Sequence, residues 1–312
     1  MTANPTMTAT KDDINHRIAD AMSHVEKAMF SVVASEVSIL QDASRHILGA
    51  GGKRIRPRLT MLAYIALGGT DFEHVAPAAA AVELMHTASV VHDDINDHGV
   101  VRRGRPSVNA IWGRTFALLT GDFLFTAVYQ LMSPYKDLNI TLARAATALV
   151  EGETLQAQAV KEKTFTRDVY TRIIGLKTAA LFQAAGEIGA RLANASVAQV
   201  EAVCGFAYNV GLAFQIVDDI LDIVGDEKTL GKTAGIDLQQ GRGYAAIQSE
   251  ASAQDAMDSI KRKFLEGDYL EEARQQANAL VHLAIAMLDV VPDSPAKDEL
   301  IQLAYQVVNR DH

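Results

Sequence analysis

Cysteine is almost missing. The 312-residue chain has a single one, Cys204, so neither an intramolecular disulfide nor a cysteine-based zinc site can form. Proline is sparse at 7 residues, and there is 1 tryptophan. Cations are outnumbered: 29 Lys and Arg stand against 38 Asp and Glu, a net charge of −9. That balance argues against general nucleic-acid binding, which needs a basic face. Met1 to Lys11 has no apolar core behind a basic start, unlike a secretory signal. No run of 18 apolar residues occurs. The nearest, Val75 to Val91, is interrupted by Glu83 and His86 and followed by His92 and Asp93, so no membrane span is expected. Alternating strand patterns are nearly absent, and no Pro/Gly/Ser-rich linker divides the chain. These absences point to a soluble, cytoplasmic protein.

Hydrophobic residues make up 49% of the chain and charged residues 21%, enough for a sizeable core and too apolar for wholesale disorder. The apolar positions recur with helical spacing. Val25, Met29, Val32, Val33 and Leu40 form one stripe, Val82, Met85, Val90 and Val91 another, and Ile216, Ile220, Ile223 and Val224 a third. The run Ala78 to Val82 favours helix, and Pro77 ahead of it suits a first helical turn. The pattern predicts helices over 11–48 (with room for a break), 54–67, 77–98, 107–132 with a break near Arg114, and 138–160. It predicts further ones over 166–192 broken near Lys177, 196–225, 252–266, 270–290 and 296–308. Residues 1–10 read as a loose tail and 11–312 as one all-α domain. One stretch differs: Gly225 to Gly243 holds five glycines with Asp226, Lys228, Lys232, Asp237 and Arg242 among them. It reads either as a surface connection or as a mobile lid.

Two aspartate clusters carry the strongest chemical signal. Asp93-Asp94-Ile95-Asn96-Asp97 and Asp218-Asp219-Ile220-Leu221-Asp222 both read DDxxD. On a helix, Asp93 and Asp97 share a face, as do Asp218 and Asp222. Both clusters follow apolar residues, where unpaired carboxylates are expensive to bury. Something positive should sit between them. Oxygen donors without cysteine suit a hard cation such as Mg²⁺. A solvated helix end would explain either motif alone, but not both.

The basic residues are placed to match. Lys53-Arg54-Ile55-Arg56-Pro57-Arg58 puts four cations into six residues directly after Gly51-Gly52. Arg102-Arg103-Gly104-Arg105 follows Asp97 by five residues. Arginine forks beside glycines suit phosphate oxygens. Lys177-Thr178 breaks an apolar run, Gln215 lies one turn before Asp218, and His86 two turns before Asp93. Each of these three has an ordinary structural explanation: a snorkelling lysine, a core amide, a lone buried histidine.

Together these pieces resemble the trans-isoprenyl diphosphate synthases, or polyprenyl synthetases. The matching stretches are GGKRIRP at 51–57, ELMHTASVVHDDINDHGVVRRGRPS at 83–107, GDFLF at 121–125, EGETLQ at 151–156, KTAALF at 177–182, GLAFQIVDDILDIVGD at 211–226, GKTAGIDL at 231–238 and VVNRD at 307–311. The resemblance implies a single-domain helical bundle around a deep central cavity, with the Asp motifs facing each other across its mouth. It also implies the reaction: isopentenyl diphosphate is joined to an allylic diphosphate, adding five carbons per cycle. Asp93 and Asp97 would then ligate Mg²⁺ on the allylic diphosphate. Asp218 would hold a further Mg²⁺, with Asp222 contributing directly or through water, for three ions in all. Arg102 would bind the allylic diphosphate, and Lys53, Arg56, His86 and Arg103 the isopentenyl diphosphate. Lys177, Thr178 and Gln215 would lie near the breaking C–O bond, and Lys232 would close over the diphosphate. A homodimer is implied as well.

Small Ala88 and Ser89 lie one turn before Asp93, where short-chain members tend to carry an aromatic floor. An open tunnel there implies a linear product beyond twenty carbons, with Met85 yielding and a floor deeper, in the region Phe123 to Leu131 that holds Phe125 and Tyr129. A short-chain C15–C20 synthase is the alternative. The chain departs from the family run at Gly241-Arg242-Gly243-Tyr244-Ala245, where Gly-Lys and a Thr-Leu-Pro-like run are usual. Arg242 keeps the positive charge. A class I terpene cyclase would not need the isopentenyl diphosphate residues. A di-iron bundle would need a second Glu-x-x-His beside Glu83–His86. A non-catalytic subunit would lack some of the six motif aspartates.

Overall fold

A computed structural model describes residues 11–224, 242–244 and 269–310. The expected tail 1–10, the helix 252–266, Lys232 and most of the glycine-rich stretch lie outside the described residues. The rest is built from eleven α-helices and one two-stranded hairpin. In chain order these are α1 (Lys11–Val32), α2 (Ser38–Gly49), α3 (Ile55–Ala66), α4 (Phe72–Asn96), β1 (Val101–Arg102), β2 (Arg105–Pro106), α5 (Val108–Met132) and α6 (Leu138–Glu162). Then come α7 (Arg167–Ile174), α8 (Ala180–Leu192), α9 (Val197–Val224), α10 (Tyr269–Met287) and α11 (Pro295–Val308).

Side-chain caps set several helix starts. Ser107, Thr166 and Ser294 each accept from the amide three residues on, which satisfies an otherwise orphaned first-turn donor. Asp71 does the same for His74, so α4 begins at Phe72 and Pro77 falls inside the helix, not in its first turn as expected. α5 bends at Gly113, whose φ of 80° lies outside the helical region, one residue from the expected break at Arg114.

α4 is the central helix. Ala78, Ala79, Ala80, Ala81 and Val82 are fully buried, and small side chains let α5, α3, α1 and α8 pack closely around it. α9 is the second central helix and packs against α8 and α10. Between α7 and α8 the chain makes one π-helical turn, Gly175–Ala179. Glycines on both neighbours admit this wider turn. A Cβ at Gly152 of α6 would lie 2.7 Å from the Lys177 amide nitrogen, and one at Gly211 of α9 2.7 Å from the Ala179 Cα. The π turn re-aims Lys177 and Thr178, the usual consequence of such an insertion.

Candidate active site

α4, α6, α7, the π turn and α9 surround one cavity. Its wall holds Arg56, His86, Ser89, Asp93, Asp97, Arg102, Glu153, Lys177, Thr178, Gln215, Asp218 and Arg242 beside apolar Val90, Leu149, Ile173, Ile174, Leu181 and Phe214. Nine of the expected site residues therefore converge: Arg56, His86, Asp93, Asp97, Arg102, Lys177, Thr178, Gln215 and Asp218. Lys53 is exposed and lies beyond this wall. Asp222, one turn after Asp218, is 1% exposed and is not part of the wall either.

In each DDxxD motif the middle aspartate turns to scaffolding. Asp94 is buried and takes both Nε and Nη2 of Arg102, at 3.0 and 2.5 Å. That pair fixes the β1–β2 hairpin, an element with no strand signature in the sequence. Its turn residues Arg103 and Gly104 both have positive φ, as a tight hairpin requires. The turn sends the two arginines apart: Arg102 reaches the cavity, while Arg103 donates to the Gly51 carbonyl. Asp219 accepts from the Tyr170 hydroxyl at 2.8 Å, the Gln215 amide at 2.8 Å and the Tyr244 backbone N–H at 3.0 Å. Gln215 in turn accepts from Thr178 at 2.6 Å, which links the π turn to α9.

Asp93, Asp97 and Asp218 face the cavity. Asp93 is pushed up to about 7, first by burial and then by the neighbouring charges of Glu153 and Asp97, against the pull of Lys177. A carboxylate held in such a state is short of positive charge. The Lys177 ammonium lies 3.9 Å from Asp93 and 2.5 Å from Glu153. Burial opposes its charge, but those two carboxylates outweigh it and hold the ammonium above its ordinary value. Asp97 pairs with Arg242 at 2.7 Å. The facing donors Asp93, Asp97 and Asp218 are all carboxylates, the set that suits Mg²⁺. Among the described residues no three such side chains already converge on one point. Mg²⁺ often fills its shell with water and substrate phosphate oxygens, so this open arrangement fits the ion.

The basic run after Gly52 divides its work. Arg54 is buried against Glu83 at 2.9 Å and the Leu48 carbonyl at 2.7 Å, and Arg58 pairs with Glu299, so both hold the fold. Arg56 reaches the cavity with its guanidinium 4.6 Å above the Phe182 ring. Burial lowers it to about 10, so it remains charged at neutral pH. His86 is driven well below its ordinary value by burial and by Arg56 and Arg103, and is neutral at pH 7. A further basic group comes from the C-terminal end of the chain. Arg310 stacks 4.2 Å above the Phe214 ring and donates to the Phe214 carbonyl. Its charge is felt by Lys53, and Arg310 itself feels the charge of Asp218. The stretch VVNRD held it without assigning it a role. Glu153, Tyr170 and Asp219 were missed in the same way, because their partners lie on other helices.

The sequence profile of the polyprenyl synthetase family matches residues 37–284. This chain belongs to that family. It is a prenyl-transferring enzyme, and the chemistry of the family is metal-dependent. Octaprenyl diphosphate synthase of Escherichia coli K12 is 32% identical over 96% of this chain and 99% of its own length. All-trans-nonaprenyl-diphosphate synthase (geranyl-diphosphate specific) of Rhodobacter capsulatus is 33% identical over 96% of this chain and 98% of its own. Among solved structures, polyprenyl synthase from Caulobacter crescentus, complexed with calcium and isoprenyl diphosphate, superposes with a TM-score of 0.90. It is 32% identical, covering 99% of this chain and all of that one. The all-α bundle around a central cavity is thus the isoprenoid synthase fold.

Proposed function

We propose that the enzyme condenses isopentenyl diphosphate head-to-tail with an allylic diphosphate, in trans geometry, to give a linear polyprenyl diphosphate longer than C20. The observation that carries this is one cavity whose wall holds Asp93, Asp97 and Asp218 together with Arg56, Arg102, Lys177 and Arg242 and an apolar lining. Asp93, Asp97 and Asp218 would hold Mg²⁺, with Asp222 contributing directly or through water, and three ions would fill the site once diphosphate is bound. The metal supplies Lewis-acid stabilisation of the diphosphate leaving group as the allylic C–O bond breaks. Lys177, Arg102 and Arg242 place donors on that same diphosphate, where each preorganised contact is typically worth about 3 kcal/mol in the transition state, and Thr178 lines the site beside them. Gln215 orients Thr178. The wall of Val90, Leu149, Ile173, Ile174, Leu181 and Phe214 keeps water from the allylic cation. Lys53, Arg56, His86, Arg103 and Arg310 form the isopentenyl diphosphate side, and Lys232 belongs to the allylic side by its motif alone. The isopentenyl double bond attacks the cation. The departing diphosphate accepts the proton then lost, since neutral His86 lies among four arginines and offers a poor site for a second positive charge.

Chain length rests on Ser89. It lines the cavity with its hydroxyl tied back to the His86 carbonyl, so the wall one turn before Asp93 is small. The Escherichia coli and Rhodobacter capsulatus relatives make products of that class by name. Ala88, by contrast, is fully buried in the bundle and does not line the cavity. Tyr129 is 73% exposed and points away from any tunnel floor.

The same exposure supports a homodimer. Ile111, Phe116, Leu118, Leu119 and Tyr129 leave one face of α5 apolar and between 41% and 73% exposed. By length and composition α5 and α9 could each cross a membrane. α9 is a core helix carrying the second Asp motif, and α5 carries Asp122 at mid-length, so a protein partner fits its open face better than lipid. A cytoplasmic setting belongs to this reading, since one cysteine needs no oxidising compartment. The test is direct. Purified protein, isopentenyl diphosphate, farnesyl diphosphate and Mg²⁺ should give products beyond C20, and EDTA should abolish them. A product that stops at C20, a cyclic hydrocarbon or no metal-dependent turnover would overturn the proposal.

A further inference from the structure

Arg242-Gly243-Tyr244, the stretch that departs from the usual family run, is tied at both ends to opposite Asp motifs. Arg242 pairs with Asp97 at the end of α4, and two residues later the Tyr244 amide donates to Asp219 of α9. Gly243 between them has a φ of 80°, a conformation that suits glycine. The Tyr244 ring is 1% exposed. It packs edge-on against Tyr170, with centroids 5.5 Å apart and planes at 89°, and its hydroxyl reaches Gln276 of α10 at 3.5 Å. Tyr170 and Tyr244 thus share a single acceptor oxygen, Asp219 Oδ2, and also a ring contact. The two tyrosines lock the turn to a rigid helix.

We propose that Tyr244 is a positioning residue for Arg242, holding its guanidinium at the cavity rim where the allylic diphosphate binds. The inference rests on the reading of Arg242 as an allylic-diphosphate contact. A threonine at this place would keep the backbone bond to Asp219 but lose the aromatic contact. Without that buried ring the turn loses its packing against Tyr170, and more of the cost of ordering the long Arg242 side chain falls on the ligand. The pair acts on the allylic side because Arg242 sits beside Asp97 and its charge is felt by Lys177.

The test compares Tyr244→Thr, Tyr244→Phe, Arg242→Gln and the double variant Arg242→Gln/Tyr244→Thr. Calorimetry with Mg²⁺ and geranyl thiolodiphosphate, a slowly reacting allylic analogue, reads binding apart from turnover. Steady-state kinetics reads KM for each substrate. Tyr244→Thr should weaken the analogue about fivefold and leave the isopentenyl diphosphate KM within about twofold. Tyr244→Phe, which keeps ring and amide, should bind as wild type. In the Arg242→Gln background, Tyr244→Thr should add nothing, because a positioning residue acts only through its target. Wild-type binding by Tyr244→Thr, an equal loss on both substrates, or a full additional loss in the double variant would each overturn the proposal. Should Tyr244→Thr fail to fold, Tyr170→Phe removes only the hydroxyl to Asp219. It should weaken the analogue in the same direction, and unchanged binding would count against the clasp. If Arg242→Gln alone binds the analogue normally, the underlying reading of Arg242 fails as well.

Discussion

Asp93→Asn should make the metal-free protein more stable and the enzyme nearly inactive. Asp93 sits at about 7 where 3.8 is ordinary, chiefly because of burial. Three units correspond to at most about 4 kcal/mol between the two protonation states. The side chain is 26% exposed and has Lys177 at 3.9 Å, so solvent and that lost partner reduce the net gain to about 1–3 kcal/mol. A carboxyl with a raised native pKa holds its proton more tightly when folded. Stability is therefore highest below the unfolded value near 4, falls as pH rises, and bears the full penalty above about 7. Asparagine cannot ionise and escapes that penalty. Thermal unfolding in EDTA at pH 8 should show a Tm gain of roughly 2–5 °C, since about 1 kcal/mol moves Tm by about 1.5 °C in a chain of 312 residues. The gain should shrink by more than half at pH 5. No gain at pH 8, or an equal gain at both values, would refute the electrostatic account. Turnover should fall by well over a factor of ten. A variant keeping more than a tenth, a barrier change below about 1.4 kcal/mol, would refute the metal role.

Ser89→Phe should shorten the product by at least one five-carbon unit while turnover persists, read by chromatography of the dephosphorylated products; an unchanged distribution would place the tunnel elsewhere. Ala88→Phe should instead lower stability by about 1–3 kcal/mol or more, because it overpacks a fully buried site. Glu83→Ala strands the buried Arg54 charge and should cost about 3–5 kcal/mol in denaturant unfolding, where a loss under about 1 kcal/mol would mean that Arg54 finds water. Light scattering should find twice 33.6 kDa for the wild type and a monomer for Phe116→Glu/Leu118→Glu; a wild-type monomer would leave the apolar face of α5 unexplained.

Periodicity alone placed nearly every described helix within a few residues, because an amphipathic stripe is a local property of the chain. The DDxxD pairs were equally legible. Spacing on a helix decides which carboxylates share a face, and their apolar flanks announce that the charge is buried. The run Lys53 to Arg58 shows where that legibility ends. Four cations look alike in sequence, yet Arg54 and Arg58 pair with acids from distant helices, while Arg56 enters the cavity. Likewise Asp94 and Asp219 are indistinguishable from their neighbours until Arg102 and Tyr170 arrive from elsewhere. The hairpin at Arg103-Gly104 and the π turn at Lys177 carry too few residues to leave a period. The helices, the two acidic faces and the chemistry they demand are local properties and can be read along the chain. Which charges are paired as scaffold and which face the cavity emerges with the packing of the helices, because burial and partner distance, which fix the fate of a charge, belong to contacts between helices and not to any one of them.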